Sequence, residues 1–249
     1  MKKYNVPALE RAITILELIS NSKEKYSVTE ICAKLSLPKA TVFTIMNTLE
    51  RYKMVEKDSA GRFEIGPKLF QLGMTYSSDS SLADLAKPYM KRLMKATGFT
   101  VHLGILHENQ VMYIGKEEPN TFIRFSTYPG LTTDIHLSGL GKAISAYLSD
   151  AELEQIINEV GLKKATPKTI IDTEKFKQDL EQVRERGYSI EDEEGEIGVR
   201  CIAAPIINAR HQTPTAISVT AHISQLGSEE YERIGKLVKS TAQEVSRVI

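Results

Sequence analysis

The sequence predicts an α+β protein in two domains, a winged helix-turn-helix followed by a larger unit in which helices flank an antiparallel sheet. Three observations predict it. Residues 1–66 carry three helical apolar stripes and then two short strand-like runs around a turn. A serine-rich polar break follows at 77–81. Beyond it, strand-like runs come in neighbouring pairs with helices inserted between them, which is the α+β pattern rather than a βαβ alternation. The expected boundaries are 1–66 for the helix-turn-helix domain, 67–81 for a linker helix and break, and 82–249 for the second domain.

The chain has 249 residues, 41% hydrophobic and 26% charged, an ordinary globular mixture that excludes a disordered or collagen-like chain. Its two cysteines, Cys32 and Cys201, are too few for a disulfide framework and lack metal-site spacing. No apolar run is long enough to span a membrane. Glu10, Arg11 and Glu17 interrupt the N-terminal apolar stretch, so no signal peptide is expected and the cytoplasm is the expected location. The 32 basic and 32 acidic residues balance overall, but residues 1–78 hold 12 Lys and Arg against 8 Asp and Glu, and the remainder 20 against 24. A basic excess on a small N-terminal unit is what attraction to phosphate requires.

In the first helix Leu9, Ala12, Ile13, Leu16 and Ile19 recur at helical spacing, with Pro7 near the start. The second opens on Ser27-Val28-Thr29-Glu30, a capping-box pattern, and presents Val28, Ile31, Cys32 and Leu35. Ser36-Leu37-Pro38 breaks it. The third helix spans 38–52, with Val42, Ile45, Met46 and Leu49 as its apolar stripe. Residues 54–57 and 62–65 read as two strands of a wing joined by the turn Asp58-Ser59-Ala60-Gly61.

The outward face of the third helix carries Lys39, Thr41, Thr44, Asn47, Thr48 and Arg51 and is poor in acid. A carboxylate there would oppose phosphate, so this composition suits a helix in the major groove of duplex DNA. Lys39, Thr41, Thr44 and Asn47 are the candidates to face the bases, Asn47 by a bidentate pair with adenine. Arg51, with Lys57 and Arg62 on the wing, are candidates to hold phosphates. The competing reading is a small helical domain used for protein contacts.

A short helix is expected at 68–76 and an amphipathic one at 82–97, closed by Gly98. Strand-like runs follow at 100–107, 111–115 and 122–125, then helices at 139–147, 150–160 and 173–186. Three further strand-like runs lie at 188–191, 201–208 and 216–223, and a last helix starts near Ser228. Ser218 and Thr220 point to one face of the last strand, with Ile217 and Val219 on the other; Cys201 and Ala203 share a face of the preceding strand. Small and hydroxyl side chains where bulky aliphatics would fill a core leave room for a small molecule and hydrogen bonds to orient it.

The block LSLPKATVFTIMNTLERYKMVEKDSAGRFEIGPKLFQLG resembles the helix-turn-helix of the IclR family of bacterial transcription regulators. Residues 135–143, IHLSGLGKA, resemble the family's block at the start of its effector-domain helix. Arg186-Gly187-Tyr188, the acidic run 191–194 and GVRCIAAPI at 198–206 resemble its signature segment. The blocks occur in the family's order along essentially the whole chain. The resemblance implies a GAF-like effector domain, homodimers or homotetramers on inverted-repeat operators, and a small molecule, often an organic acid or aromatic metabolite, that sets operator affinity. Carried over position by position, the effector-binding residues are Thr133, Gly139, Leu140, Glu191, Cys201, Ser218 and Thr220. Thr133 replaces a usual aliphatic, Leu140 is bulkier than the small residue often found, and Glu191 stands for Asp.

Other readings compete at several of these positions. Cys201 is either a nucleophile or a buried structural thiol, and its apolar strand favours the second. His102, His136 and His222 are candidates to gather a metal with Cys201, yet no close ligand pair exists in sequence; His136 reads more readily as packing near the pocket mouth. The acidic run 191–196 reads as a solvated loop or a cation site. Arg200 either holds one of those carboxylates or clamps an anionic effector. With no nucleophile–base–orienter set and no phosphate-binding glycine loop, a ligand-responsive transcription regulator, and a repressor in particular, is expected rather than an enzyme fused to a DNA-binding head, and no cofactor is implied.

Overall fold

The computed structural model describes residues 5–22, 24–78, 82–207 and 213–249. The chain divides into two compact units, 1–79 and 80–249.

In the first unit, α1 (Pro7–Ser20), α2 (Val28–Leu35) and α3 (Lys39–Arg51) precede a hairpin of β1 (Val55–Lys57) and β2 (Phe63–Ile65), and α4 (Pro67–Ser78) follows. The Ser27 hydroxyl accepts from the Glu30 amide while the Glu30 carboxylate accepts from the Ser27 amide, which satisfies two free donors at the start of α2. Ser36 ends α2 in the left-handed conformation at φ 53°. Pro38 then stands just outside α3 as its N-cap rather than inside its first turn. The turn is therefore tight enough to set α3 against α2. Ile15, Ile31, Val42, Met46, Val55 and Phe63 close the core.

The α1 stripe differs from expectation. Ile15 and Ile19 are buried, whereas Leu9 and Ile13 are exposed. This helix is apolar on more than one face, so periodicity alone does not choose the face that packs. Ser77 and Ser78, assigned to the polar break, continue α4; the rest of that break, 79–81, lies outside the described residues.

The second unit starts with α5 (Leu82–Thr97) and builds a sheet from β3 (Thr100–His107), β4 (Gln110–Glu117), β5 (Thr132–Asp134), β6 (Ser189–Asp192), β7 (Val199–Ile206) and β8 (Thr215–His222), in the order β5-β4-β3-β8-β7-β6. Every pairing is antiparallel. Inserted between β5 and β6 are α6 (Gly139–Ser145), α7 (Asp150–Val160) and α8 (Thr173–Arg186); α9 (Tyr231–Ser246) closes the chain.

Alternation along the strands sorts the sheet into two faces. Val101, Leu103, Ile202, Ala204, Ile217 and Val219 pack with α5 and α9. Ala203 and Ala216 lie in the opposite core, with Leu140 and Ile144 of α6 and Phe176 and Leu180 of α8. On that side the strands carry small residues, and all seven residues of α6 are buried. The close approach depends on glycine. A Cβ at Gly141 would stand 2.1 Å from the Ile135 carbonyl oxygen, and one at Gly139 would stand 2.9 Å from Cys201 Sγ.

The sheet departs from the sequence expectation at two places. Residues 122–125 form no strand; β5 at 132–134 occupies the edge of β4 instead, paired from Gln110–Asp134 to Met112–Thr132. The strand expected at 201–208 begins earlier, at Val199, and ends at Ile206; Asn208 lies outside the described residues.

Candidate functional site

Beside Ser138, the N-cap of α6, a cavity of about 290 Å³ opens on the sheet, lined by residues of every strand from β3 to β8 and of the segment ahead of β5. Four of the seven effector candidates line it: Thr133, Glu191, Cys201 and Thr220. The antiparallel register explains why they gather. Glu191 pairs with Cys201 across β6–β7, and Cys201 pairs with Thr220 across β7–β8, so three side chains from three strands stand in one row. The other three candidates do not line the cavity. Gly139 packs against Cys201, Leu140 belongs to the core beneath, and Ser218 is fully buried opposite Ala203.

His102 also lines the cavity, a role the sequence did not suggest. It is 1% exposed and pairs with Ser218 on β8. Its Nε2 lies 2.7 Å from Thr127 Oγ1 and its Nδ1 3.2 Å from Thr220 Oγ1. Burial, helped by nearby Lys116, pushes its pKa down to about 3, so the ring is neutral at pH 7 and one nitrogen donates while the other accepts. Thr220 in turn donates to Cys201 Sγ at 3.4 Å. A chain of hydrogen bonds thus ties residue 127, beside the cavity, to the strands at its floor.

The acidic run is not a solvated loop. Glu191 and Glu194 are buried. Glu191 Oε1 accepts from the amides of Glu194 at 2.6 Å and Gly195 at 3.0 Å. Burial pushes its pKa up to about 7, partly offset by those two amides. Below it, Lys142 of α6 is wholly buried and donates to Glu194 at 2.8 Å and to the Ile190 carbonyl at 2.8 Å, and it lies 2.9 Å from Asp179. A buried cation needs such partners. Arg200 bonds Asp192 at 2.6 Å and the Leu226 carbonyl at 2.7 Å, so it holds a carboxylate of its own chain.

Cys201 shows none of the features of a nucleophile. Burial, with Glu191 nearby, pushes its thiol up to about 11, so the reactive thiolate is disfavoured. The three histidines are dispersed. His136 bonds the Lys163 carbonyl, meets Phe176 edge-on and does not itself line the cavity, though Leu137 and Ser138 beside it do, and His222 bonds Ser224. Among the described residues no group of three or more His, Cys, Asp or Glu side chains is placed to hold a metal ion.

In the first unit, Lys39, Thr44, Asn47 and Arg51 are exposed on α3, while Thr41 is half-buried at the flank of the outward face. Thr44 and Thr48 donate their hydroxyls back to the carbonyls of Ala40 and Thr44, each at 2.9 Å. Their outward chemistry is therefore more apolar than composition suggests. The Arg51 guanidinium lies over the Tyr52 ring, and Lys57 Nζ stands 5.6 Å from the Phe63 ring centre. Arg62 is not a free cation: it pairs with Glu30 at 2.9 Å and donates to the Lys25 carbonyl, which fastens the wing to the helices. Ala40 and Phe43, which sequence reasoning passed over, share the exposed face.

Two family models cover the chain: the IclR helix-turn-helix domain over residues 8–59, and the bacterial transcriptional regulator IclR C-terminal over residues 74–247. This chain belongs to the IclR family. It is 35% identical over 243 residues to the HTH-type transcriptional repressor AllR of Escherichia coli K12, covering 97% of this chain and 90% of that one. An IclR transcriptional regulator from Alicyclobacillus acidocaldarius has a similar structure, with TM-score 0.86, 29% identity and coverage of 98% and 99%. An IclR homolog from Microbacterium hydrocarbonoxydans complexed with 4-hydroxybenzoate shares the fold, with TM-score 0.83, 19% identity and coverage of 97% and 100%. These relatives are transcription regulators rather than enzymes, and the chain is a DNA-binding transcription regulator of this IclR type. No described helix is long and apolar enough to cross a membrane.

Proposed function

We propose that this IclR-family chain is a cytoplasmic transcriptional repressor whose hold on a duplex operator is set by a small organic acid in the second unit's cavity. The cavity carries the reading: it is partly enclosed, it sets hydroxyls and a buried carboxyl among apolar side chains, and it lies on the sheet of a protein whose buried thiol lacks an activating base. Its lining includes no Lys or Arg among the described residues. A carboxylate ligand is then held by the Thr133 hydroxyl, by the Thr220 hydroxyl once its proton turns from Cys201 to the ligand, and by the proton that Glu191 retains near pH 7. AllR, similar along the whole chain, is a repressor, and the homolog complexed with 4-hydroxybenzoate binds an aromatic acid. Gly139, Leu140 and Ser218 act from beneath, by shaping the floor around Cys201.

On the operator, Lys39 and Asn47 face base edges, Thr41 and Thr44 contribute from the flank and the methyl side, and Arg51 and Lys57 hold phosphates. Arg62 acts by keeping the wing in place. A helix of this size reads only a few base pairs, so a homodimer, or a tetramer built from dimers, binds two half-sites of an inverted repeat about 34 Å apart. Exposed Leu9 and Ile13 on α1 and Phe70 and Met74 on α4 supply apolar surface for self-association. Residues 67–81, leading into 82–249, carry the signal from 82–249 to 1–66, and the ligand acts only through unequal affinity for the two arrangements.

The test is a thermal-shift series of the full chain with small aliphatic and aromatic acids, followed by duplex binding with each acid that stabilises it. The reading predicts an acid that raises the melting temperature and changes duplex affinity. If no acid does both while a neutral metabolite does, the effector class is wrong.

A further inference from the structure

The recognition helix presents an unexpected chemistry in its first turn and a half. Phe43 is 56% exposed although it lies in the middle of an ordered helix. Lys39 and Asn47 stand one turn to either side of it on the same exposed face. Ala40 is exposed beside it. The Thr44 hydroxyl is spent on the Ala40 carbonyl at 2.9 Å, which takes its donor off the exposed face and leaves its methyl. None of these three side chains offers a hydrogen-bond donor outward, and no acid interrupts them. Phe43 adds nothing to the first unit's core.

An aromatic ring left in water on this face has one complementary partner in duplex DNA. In the major groove the only apolar group on a base edge is the C5-methyl of thymine. The N-terminal half of a recognition helix is the part that meets base edges. The geometry points to Phe43, flanked by Ala40 and the Thr44 methyl, as the residue that reads a thymine methyl in each operator half-site, with hydrogen-bonded readout left to Asn47. The inference rests on the DNA-binding reading above and adds what this helix selects for. It places Lys39 at one edge of an apolar contact and leaves Arg51, further along the helix, to position it on phosphates.

The experiment uses the full-length chain and duplexes it selects from a random library. Each thymine of the selected half-site is replaced in turn by deoxyuridine, which removes the methyl and keeps every hydrogen bond. One position should lose about four-fold in affinity, the worth of one buried methyl-sized group. In Phe43→Ala the thymine and uracil duplexes should bind alike at that position, and both more weakly than wild type binds the thymine duplex. Because Phe43 lies outside the core, this variant should keep its melting temperature. The inference is overturned if no uracil substitution matters, if the thymine preference survives in Phe43→Ala, or if Phe43→Ala binds as well as wild type, which would make the ring a protein-contact surface. A chain that selects no duplex at all overturns the DNA-binding reading itself, and this inference with it.

Discussion

Glu191 and Cys201 face one another across the β6–β7 ladder, and burial raises the pKa of both. The pair stands where the cavity meets the buried Lys142 network, with Thr220 next in the row. One row of side chains thereby joins an open cavity to a buried charge network.

A pH dependence follows from Glu191. Its ordinary value is 4.5 and its folded value about 7, so the folded chain keeps a proton that the unfolded chain releases. That contribution is fully present below pH 4.5 and is lost as pH rises through 7. His102 has the opposite sign: its fall from 6.5 to about 3 contributes above pH 6.5 and is lost as pH drops toward 3. Relative to wild type, Glu191→Gln should gain stability by up to about 1.4 kcal/mol per pH unit between 4.5 and 7. Denaturant unfolding at half-unit pH steps measures this; a difference that stays constant with pH contradicts the raised pKa.

Thr220→Val removes a hydroxyl that bonds both His102 and Cys201 while keeping the volume. It should weaken binding of the effector acid by about ten-fold, in line with roughly 1–1.5 kcal/mol for one hydrogen bond. Duplex affinity without effector should stay within about two-fold of wild type. Calorimetric titration alongside a gel-shift assay separates the two effects, and a variant that loses operator binding while folded would move Thr220 out of the ligand site.

Lys142 is wholly buried between Glu194 and Asp179. Lys142→Met should cost about 3–5 kcal/mol because two carboxylates lose their cation. Adding Glu194→Gln to Lys142→Met should restore part of that loss. Urea unfolding of the two variants decides it; a single-variant cost below about 1 kcal/mol would mean the network is solvated.

Asn47→Ala should weaken binding to a selected operator by about 1–3 kcal/mol and relax the base preference at one position. Competition against random duplex is the control. Equal loss on both duplexes would make Asn47 a phosphate contact rather than a reader of adenine.

Local signals carried much of the fold in the sequence. The capping box at Ser27 and Glu30, the tight turn at Ser36–Pro38 and the stripe Val42, Ile45, Met46 and Leu49 each depend on residues within one or two turns of one another. Strand alternation likewise groups Ser218 with Thr220 on one strand and Cys201 with Ala203 on the other, and the β7–β8 register then sets Cys201 opposite Thr220. The misread positions depend on distant partners. The aromatic and β-branched run at 122–125 looks like a strand, but the edge of β4 is taken by β5, while Lys116 donates to the Phe125 carbonyl and Thr127 bonds His102. His102 meets Thr220 across 118 residues of chain, a separation that no spacing rule spans. Arg62 reads as a free cation only until Glu30, 32 residues away, folds against it.

The central claim is that an acid in the cavity changes how the chain grips DNA. The most direct measurement is the affinity of the full-length chain for its selected duplex, titrated with the acid that most raises its melting temperature. We expect at least a ten-fold change in affinity in the wild type, abolished in a folded Glu191→Leu, Thr220→Val double variant, which removes both of those donors to the acid. An affinity that the acid leaves unmoved, or one that shifts equally in that double variant, would contradict the claim.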